Sequence, residues 1–224
     1  MRKHVQWRHR KFDARQRSRT AEGNFLPAAR DAAAELSAVD WDAPKAEGLS
    51  LAELARRFTT EFLEREWFVT GDVPVALFSD AFVFKDDSVA TSGIRSYGLG
   101  VRKLFDQSNA RAELITVTID EAARAIVATW RLEGGVNLPL RPRIPPFVVT
   151  TTLGVDEKGL IASQLDEFAV PGWRLLAGAL LGAWAGPPPA PAAAVLRAEA
   201  AAAGHAGVVG ADANAEAAAA APRG

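Results

Sequence analysis

The stretch LITVTIDEAARAIVATWRL, residues 114–132, decides the fold class of this sequence. Leu114–Ile119 and Ala125–Leu132 are rich in β-branched and apolar residues, and only the short segment 120–124 connects them. Two runs of this kind joined by a short connection predict a β-hairpin.

A second hairpin is predicted downstream of the first. Phe147–Val155 and Leu160–Val170 are again β-like, and the turn-forming sequence DEKG lies between them. The intervening segment Leu138–Pro146 contains several prolines, which have no backbone N–H to donate to a neighbouring strand. We therefore expect this segment to be a loop and not a central strand.

Helices are predicted ahead of the strands. Ser50 and Glu53 form a capping-box pattern, in which both side chains bind backbone N–H groups at the start of a helix. Apolar residues then recur at helical spacing up to about Trp67, namely Leu51, Leu54, Ala55, Phe58 and Phe62. The pattern predicts a helix with one buried face.

Shorter elements follow this helix. Pro74 suits the first turn of a short helix over Val75–Phe78, and Ala81–Phe84 is a brief β-like run. Ser92 can cap a third helix, and Trp173–Trp184 predicts an apolar C-terminal helix. Helices gathered early and strands gathered late indicate an α+β fold, with an antiparallel sheet packed on helices.

The composition changes at both ends of the predicted domain, which spans residues 48–186. Residues 1–47 form a basic N-terminal arm that is rich in Arg and poor in acids, as organelle transit peptides are. Chloroplast or mitochondrial targeting is therefore one hypothesis, and a disordered extension of a cytoplasmic protein is the other. Residues 187–224 are mostly Ala, Gly and Pro, which cannot offset the entropy of ordering, so we expect a disordered tail.

The composition also excludes several kinds of chemistry. The chain has no cysteine, which excludes disulfides, thiolate metal sites and a cysteine nucleophile. His4, His9 and His205 all lie outside the predicted domain, so we expect no histidine-dependent catalysis. We also expect no metal site and no cofactor. The formal net charge of −1 does not favour nucleic acid. No apolar run approaches the roughly 20 residues of a transmembrane helix.

Several short motifs resemble one known superfamily. They are Phe82–Asp86, Gly93 before the third helix, Trp130–Leu132, Gly159–Ile161 and Asp166–Phe168. Over roughly Leu49–Val170 the sequence resembles the NTF2-like superfamily, and within it an uncharacterised SnoaL-like branch from plants, algae and cyanobacteria. The resemblance implies a cone, in which a curved sheet wraps around the long helix and a pocket opens between them.

This superfamily contains isomerases, hydrolases, polyketide cyclases, dehydratases and non-catalytic binding or assembly modules, so the fold alone constrains function little. Its catalytic members use a pocket aspartate, which directs attention to Asp166 and Asp86. Asp166 lies in the middle of the last predicted strand among apolar neighbours, where burial would raise its pKa and make it a candidate base. If the strand is turned by a bulge, Glu167 points inward instead. Asp86 follows the short strand and can equally be a turn residue.

The remaining candidate ligand-binding residues are Tyr97, Trp130, Arg131, Thr150, Thr152 and Phe168. Trp130 and Arg131 are adjacent and must face opposite sides of the sheet. Either Trp130 packs inside the cone and Arg131 lies outside, or Arg131 points in and can pair with Asp166. The Tyr97 hydroxyl could donate to a ligand, and threonine hydroxyls at 150 and 152 could orient one.

The sequence favours a domain that binds a small apolar ligand. An isomerase-like or cyclase-like enzyme that uses a pocket carboxylate is one alternative, and a non-catalytic dimerisation module is another. A homodimer formed through the sheet is the expected protein partner. Whether the chain is an enzyme is left open by the residues themselves.

Overall fold

The α+β class is confirmed by a computed structural model, which describes residues 36–87, 89–181 and 186–204. The helices are α1 (Leu51–Arg65), α2 (Trp67–Thr70), α3 (Ile94–Leu104), α4 (Gly172–Leu181) and α5 (Ala193–Ala202), with a 3₁₀ turn at Val75–Leu77. The strands are β1 (Phe78–Lys85), β2 (Ala90–Ser92), β3 (Arg111–Asp120), β4 (Ala125–Gly135), β5 (Arg143–Val155) and β6 (Ile161–Phe168). They form one sheet in the order β2-β1-β6-β5-β4-β3, in which only β1 and β6 are parallel neighbours.

Ser50 caps α1 as predicted, but the Glu53 side chain binds Arg56 and Arg57 instead of completing the capping box. Ser50 Oγ accepts a hydrogen bond of 3.2 Å from the backbone N–H of Glu53. The helix ends at Arg65 rather than near Trp67, because Glu66 adopts a left-handed conformation with φ 46°. The Glu66 carboxylate accepts hydrogen bonds of 2.9 Å from Arg111 Nε and from the backbone N–H of Ala112, at the start of β3. A contact distant in sequence therefore fixes the break between α1 and α2.

Both predicted hairpins are present, with β3 paired to β4 and β5 paired to β6. Strand β5 begins at Arg143, inside the segment that was expected to be a loop. Pro145 and Pro146 lie at a register shift in the β4–β5 pairing, and β6 meets β5 only from Val149 onward. The prolines are tolerated in this strand because no neighbouring strand pairs with it at Pro145 and Pro146, so no backbone N–H is needed there.

The core lies between the early helices and one face of the sheet. Its centre is a cluster of buried aromatic residues: Phe58, Phe62, Trp67, Phe68, Phe78, Phe82, Tyr97 and Trp130. Phe68 has its ring centroid 5.0 Å from that of Phe62 and 4.9 Å from that of Trp130, so helix and sheet interlock. Aromatic side chains thus fill much of the space that the sheet encloses.

The chain after β6 differs from the expected disordered tail. Ala193–Ala202 forms α5, whose first residue, Ala193, is 3% exposed. Arg197 Nε donates to the Leu114 carbonyl on β3 at 2.8 Å, and the Ala190 N–H donates to the Pro146 carbonyl at 2.7 Å. These tertiary contacts supply the stabilisation that a short alanine-rich helix lacks in isolation.

The basic residues 1–35 and the tail residues 205–224 lie outside the described part of the chain, as does the end of the predicted C-terminal helix. No helix within the described ranges is long and apolar enough to cross a membrane. The boundaries of the domain at 48 and 186 stay predictions.

Two glycines on opposite sides of α3 provide a test of its packing. A β-carbon on Gly98 would lie 2.9 Å from the Gly71 carbonyl oxygen and 3.1 Å from the Trp41 ring, whereas one on Gly100 would have no atom within 4 Å. We expect Gly98→Ala to lower the free energy of unfolding by about 1–2 kcal/mol through overpacking. Gly100→Ala should raise it by about 0.5–1 kcal/mol through helix propensity. Urea denaturation measures both, and equal effects would contradict the close approach of α3 to Gly71.

Candidate binding site around Asp166

The pleat of β6 decides which of the two neighbouring acids faces the core. Asp166 is paired with Thr151 of β5 and is 8% exposed, whereas Glu167 is paired with Thr150 and is exposed. Successive side chains of a strand point to opposite faces, so Asp166 points inward and Glu167 outward.

Asp166 is held by a chain of buried hydrogen bonds. Its Oδ1 accepts from Thr151 Oγ1 at 2.7 Å and from Gln164 Nε2 at 3.0 Å. Thr151 Oγ1 in turn accepts from Trp130 Nε1 at 2.9 Å, and Gln164 Nε2 also donates to the Tyr97 hydroxyl at 3.1 Å. The network joins β4, β5, β6 and α3 and fixes the orientation of the carboxylate.

Three polar atoms beside this network have no hydrogen-bond partner among the described residues. They are Asp166 Oδ2, Gln164 Oε1 and Trp67 Nε1, and the last two are fully enclosed. The Trp67 ring centroid is 6.3 Å from that of Tyr97, which places Trp67 next to the network. Buried polar atoms without partners are costly, so this part of the cone favours a polar guest such as a water molecule or a ligand group.

The environment of Asp166 favours its neutral form. The pKa of this carboxyl group is raised from 3.8 to about 6, chiefly by burial and to a smaller extent by the charge of Asp86, and the hydrogen bonds from Thr151 and Gln164 oppose the rise. Burial, together with the charge of Asp166, also raises the pKa of Tyr97 well above its usual value. Asp166 can therefore exchange a proton near neutral pH, while Tyr97 keeps its hydroxyl proton.

Asp86 lies at the end of β1, where its side chain takes part in a turn. Its Oδ1 accepts from the Val89 N–H at 2.6 Å, and its own N–H donates to the Val89 carbonyl at 3.0 Å. Asp86 is close enough to Asp166 to affect the pKa of that residue. The described part of the chain contains no group of three or more metal-ligating side chains.

Aromatic residues flank the polar network. The half-buried ring of Phe84 is 5.0 Å from that of Tyr97, and the half-buried ring of Phe168 is 5.9 Å from that of Phe147. Tyr97 itself is 5% exposed. Of the predicted site residues, Asp166, Tyr97, Trp130 and Phe168 therefore share the inner side of the sheet.

Trp130 packs inside the cone and Arg131 lies on the outer face, so the pairing of Arg131 with Asp166 is excluded. The Arg131 guanidinium forms ion pairs with Glu113 and Glu133, the second at 2.8 Å through Nη2. The positive charge of Arg131 is therefore paired with acids of β3 and β4, on the opposite side of the sheet from Asp166.

The expectation that Thr150 and Thr152 line the cone is corrected by the register. Thr150 is paired with Glu167 and Thr152 with Leu165, so both threonines lie on the outer face, while Thr151 between them is fully buried on the inner face. Thr151, Gln164 and Trp67 are the inner polar residues that sequence reasoning missed. Gln164 had a usable signal, because it is two residues from Asp166 and a strand repeats its face every two residues.

The described residues form one six-stranded sheet whose core face is covered by α1, α2 and α3. This is the α+β arrangement that the resemblance to the NTF2-like superfamily implied. A family model described as an uncharacterized conserved protein, DUF2358, matches residues 57–164, slightly less than half of the chain.

Several solved structures resemble this chain. A protein from Jannaschia sp. CCS1 described as a SnoaL-like polyketide cyclase is 14% identical with a TM-score of 0.47, over 62% of this chain and 97% of that one. An LEH-like epoxide hydrolase from M. tuberculosis is 19% identical with a TM-score of 0.43, over 59% and 94% of the two chains. An NTF2-like protein from Anabaena variabilis ATCC 29413 is 19% identical with a TM-score of 0.42, over 55% and 92%. No curated protein matches the sequence.

Proposed function

We propose that the cone binds a small, mostly apolar ligand whose polar group hydrogen-bonds to Asp166. The observation that carries this proposal is the second carboxylate oxygen of Asp166, which has no partner among the described residues although the side chain is 8% exposed. A site with aromatic walls and one convergent polar group is typical of pockets for small molecules.

The charge state of Asp166 restricts the ligand's polar group. Above its pKa of about 6, the carboxylate only accepts hydrogen bonds, so it favours a hydroxyl or phenol over a carbonyl. Because aromatic side chains fill much of the interior, the ligand must be small or must displace a side chain on entry. The half-buried rings of Phe84 and Phe168 are the candidates for such movement.

Binding of 2-naphthol and of naphthalene tests this proposal. We expect 2-naphthol to bind about tenfold more tightly than naphthalene at neutral pH, because only the phenol donates to Asp166. In the Asp166→Asn variant an amide N–H2 group can replace the free oxygen, so the preference for the phenol should fall to about threefold or less. Fluorescence titration at several pH values measures the two affinities.

Glu167→Gln is the matched control, because it removes a carboxylate from the adjacent position on the outer face of the same strand. This variant should keep the preference of the unaltered chain for 2-naphthol. Equal preferences in Asp166→Asn and Glu167→Gln, or no saturable binding of either compound, would refute the proposal.

General base catalysis is the second candidate, and the pKa of about 6 for Asp166 supports it. A base with a pKa near the working pH combines a useful deprotonated fraction with useful basicity. An isomerase-like or cyclase-like reaction would begin with removal of a proton next to a carbonyl group. Deuterium exchange at the α-carbons of 2-tetralone should then be accelerated by the chain and lost in Asp166→Asn.

A homodimer through the outer face of the sheet is compatible with ligand binding in the cone. Half-buried uncharged side chains occupy this face, among them Thr116, Val127, Thr129, Thr150 and Thr152. Light scattering measures the assembly state, and a charged residue at the centre, Thr129→Lys, should convert a dimer to a monomer. A monomeric unaltered chain would exclude this partner.

The basic N-terminal arm supports targeting to the chloroplast or the mitochondrion. Fused to a fluorescent reporter in a plant or algal cell, residues 1–47 are expected to direct the reporter to one of these organelles. The same fusion with the arginines replaced by glutamine is the control and should stay in the cytosol. A cytosolic signal from the unaltered arm would contradict the proposal.

A further inference from the structure

An exposed surface at one end of the sheet combines leucines with positive charge. We call this surface the leucine tip. The loop between β4 and β5 contributes Leu138, Leu140 and Arg141 to it, and the end of α3 contributes Lys103 and Leu104. Leu140 is 87% exposed, Leu104 42% and Leu138 41%. Lys103 and Arg141 are exposed as well.

Hydrogen bonds hold the two parts of the leucine tip together. The backbone N–H of Asn137 donates to the Leu104 carbonyl at 2.7 Å, and Asn137 Nδ2 donates to the carbonyls of Lys103 and Phe105 at 3.2 and 3.0 Å. The loop is therefore fixed to the C-terminal end of α3, where unpaired helix carbonyls need donors.

The loop is also built to project its leucine outward. The Arg141 N–H donates to the Leu138 carbonyl at 2.8 Å, which closes a tight turn around Leu140. Leu140 and Arg141 have φ values of 71° and 42°, a left-handed conformation that is costly for residues with a β-carbon. The chain thus maintains a strained turn whose result is a leucine in solvent, rather than folding that leucine inward.

Charge on the leucine tip is positive. Arg141 and Lys103 are two of its basic residues. Arg143, at the start of β5, is a third exposed basic residue close to Arg141 in the chain. The nearby acid Asp106 accepts hydrogen bonds from Ser108 and Asn109 and is attracted to the charge of Arg141, so it offsets one of the three positive charges and leaves the others. Beyond the described residues, the sequence of the N-terminal arm carries further Lys and Arg residues.

We propose that the leucine tip docks on a membrane surface that contains anionic lipids. A convex projection with exposed leucine can enter the boundary between headgroups and acyl chains, and adjacent Lys and Arg side chains are attracted to anionic headgroups. A lipid surface fits this shape better than a folded protein does, because a protein would have to present a complementary pocket. Membrane docking and ligand binding at Asp166 are independent, so either can fail without the other.

Vesicle co-sedimentation of the full chain tests the proposal. We expect binding to vesicles of phosphatidylcholine with phosphatidylserine, weaker binding when salt is added, and little binding to phosphatidylcholine alone. Leu140→Asp should lower the affinity for the mixed vesicles at least about tenfold, because it replaces an inserted apolar side chain with a charge. Arg141→Glu should lower it by a similar factor through the headgroup charge.

Two control variants lie away from the tip. Leu63→Asp changes a leucine of α1 that is 51% exposed, and Arg124→Glu changes an arginine in the β3–β4 turn that also has a positive φ, of 50°. Both should bind the mixed vesicles as the unaltered chain does. The N-terminal arm is present in every variant, so unchanged binding of Leu140→Asp would assign the affinity to the arm and overturn the proposal. No binding to either vesicle, or equal binding to both, would overturn it too.

Discussion

Replacing Phe62 with alanine is expected to lower the free energy of unfolding by about 3–5 kcal/mol, the largest effect of any single change proposed for this chain. Phe62 is fully buried in α1, and its ring centroid is 5.0 Å from that of Phe68, 5.9 Å from that of Phe58 and 6.3 Å from that of Trp130. Alanine removes the ring and leaves a cavity between α1 and β4. Urea denaturation measures the loss.

The adjacent residue is the control for this substitution. Leu63 belongs to the same helix but is 51% exposed, so Leu63→Ala should change the free energy of unfolding by no more than about 0.5 kcal/mol. A loss in Phe62→Ala no greater than that in Leu63→Ala would mean that the aromatic cluster does not hold α1 on the sheet.

The buried face of α1 could be predicted because it depends only on local periodicity. Of the five residues expected to share one face, Leu54, Ala55, Phe58 and Phe62 are buried, and Leu51 is half-buried against the same core. The same reasoning located the two hairpins, whose turns at 120–124 and 156–159 separate strands of alternating burial. Side-chain spacing along one segment is sufficient information for such elements.

Elements that depend on distant contacts were not predictable in this way. Ser92 was expected to cap the third helix, but it pairs with Val83 in the short strand β2. Gly93, with φ 84°, occupies the cap position instead, and its N–H donates to the Phe82 carbonyl at 2.8 Å. The left-handed turn at Glu66 has the same kind of origin, since Arg111 binds its carboxylate from β3.

In the candidate site, too, the features that depend on contacts between strands could not be predicted from local spacing. The strand pattern allowed either Asp166 or Glu167 to face the core, and it gave no information on the partners of Asp166. Which threonine of β5 reaches Asp166 depends on the pairing register, and a shift of one residue exchanges the inner and outer faces of a strand. The observed register brings Thr151 to Asp166 and turns Thr150 and Thr152 outward.

Asp166→Asn is expected to stabilise the fold at neutral and alkaline pH. The pKa of Asp166 is about 6 in the folded chain against 3.8 for the free group, so the folded state binds more protons than the unfolded state between these values. Stability contributed by this group is therefore fully present below about pH 4 and is lost as the pH rises through about 6. Asparagine cannot ionise, so it avoids that loss.

The size of the effect follows from the difference between the two pKa values. A difference of about two pKa units corresponds to about 3 kcal/mol in the free energy of unfolding. The asparagine side chain can still accept from Thr151 and Gln164, but its amide N–H2 group occupies the place of the free oxygen without an acceptor among the described residues, which costs about 1 kcal/mol. The net gain above about pH 7 is expected to be about 2 kcal/mol.

Urea denaturation of the unaltered chain and of Asp166→Asn, across a pH series, measures this gain. The difference between the two proteins isolates Asp166 from the other carboxylates, such as Glu53, whose pKa is lowered to about 2 by hydrogen bonds from Arg56 and Arg57. Below about pH 4 the two proteins should be equally stable, or the variant slightly less so. A gain that did not vary with pH would contradict the ionisation of a buried Asp166.

Arg131→Ala separates this account from an ion pair across the sheet. Arg131 binds Glu113 and Glu133 on the outer face, so its removal should destabilise the fold without altering the gain from Asp166→Asn, and the two effects should add within about 0.5 kcal/mol in the double variant. If Arg131 did stabilise the Asp166 carboxylate, the double variant would depart from additivity and Asp166→Asn alone would be destabilising. Additive effects would leave desolvation as the main cause of the raised pKa, with a smaller contribution from the charge of Asp86. That same desolvation is what makes Asp166 a proton acceptor near neutral pH.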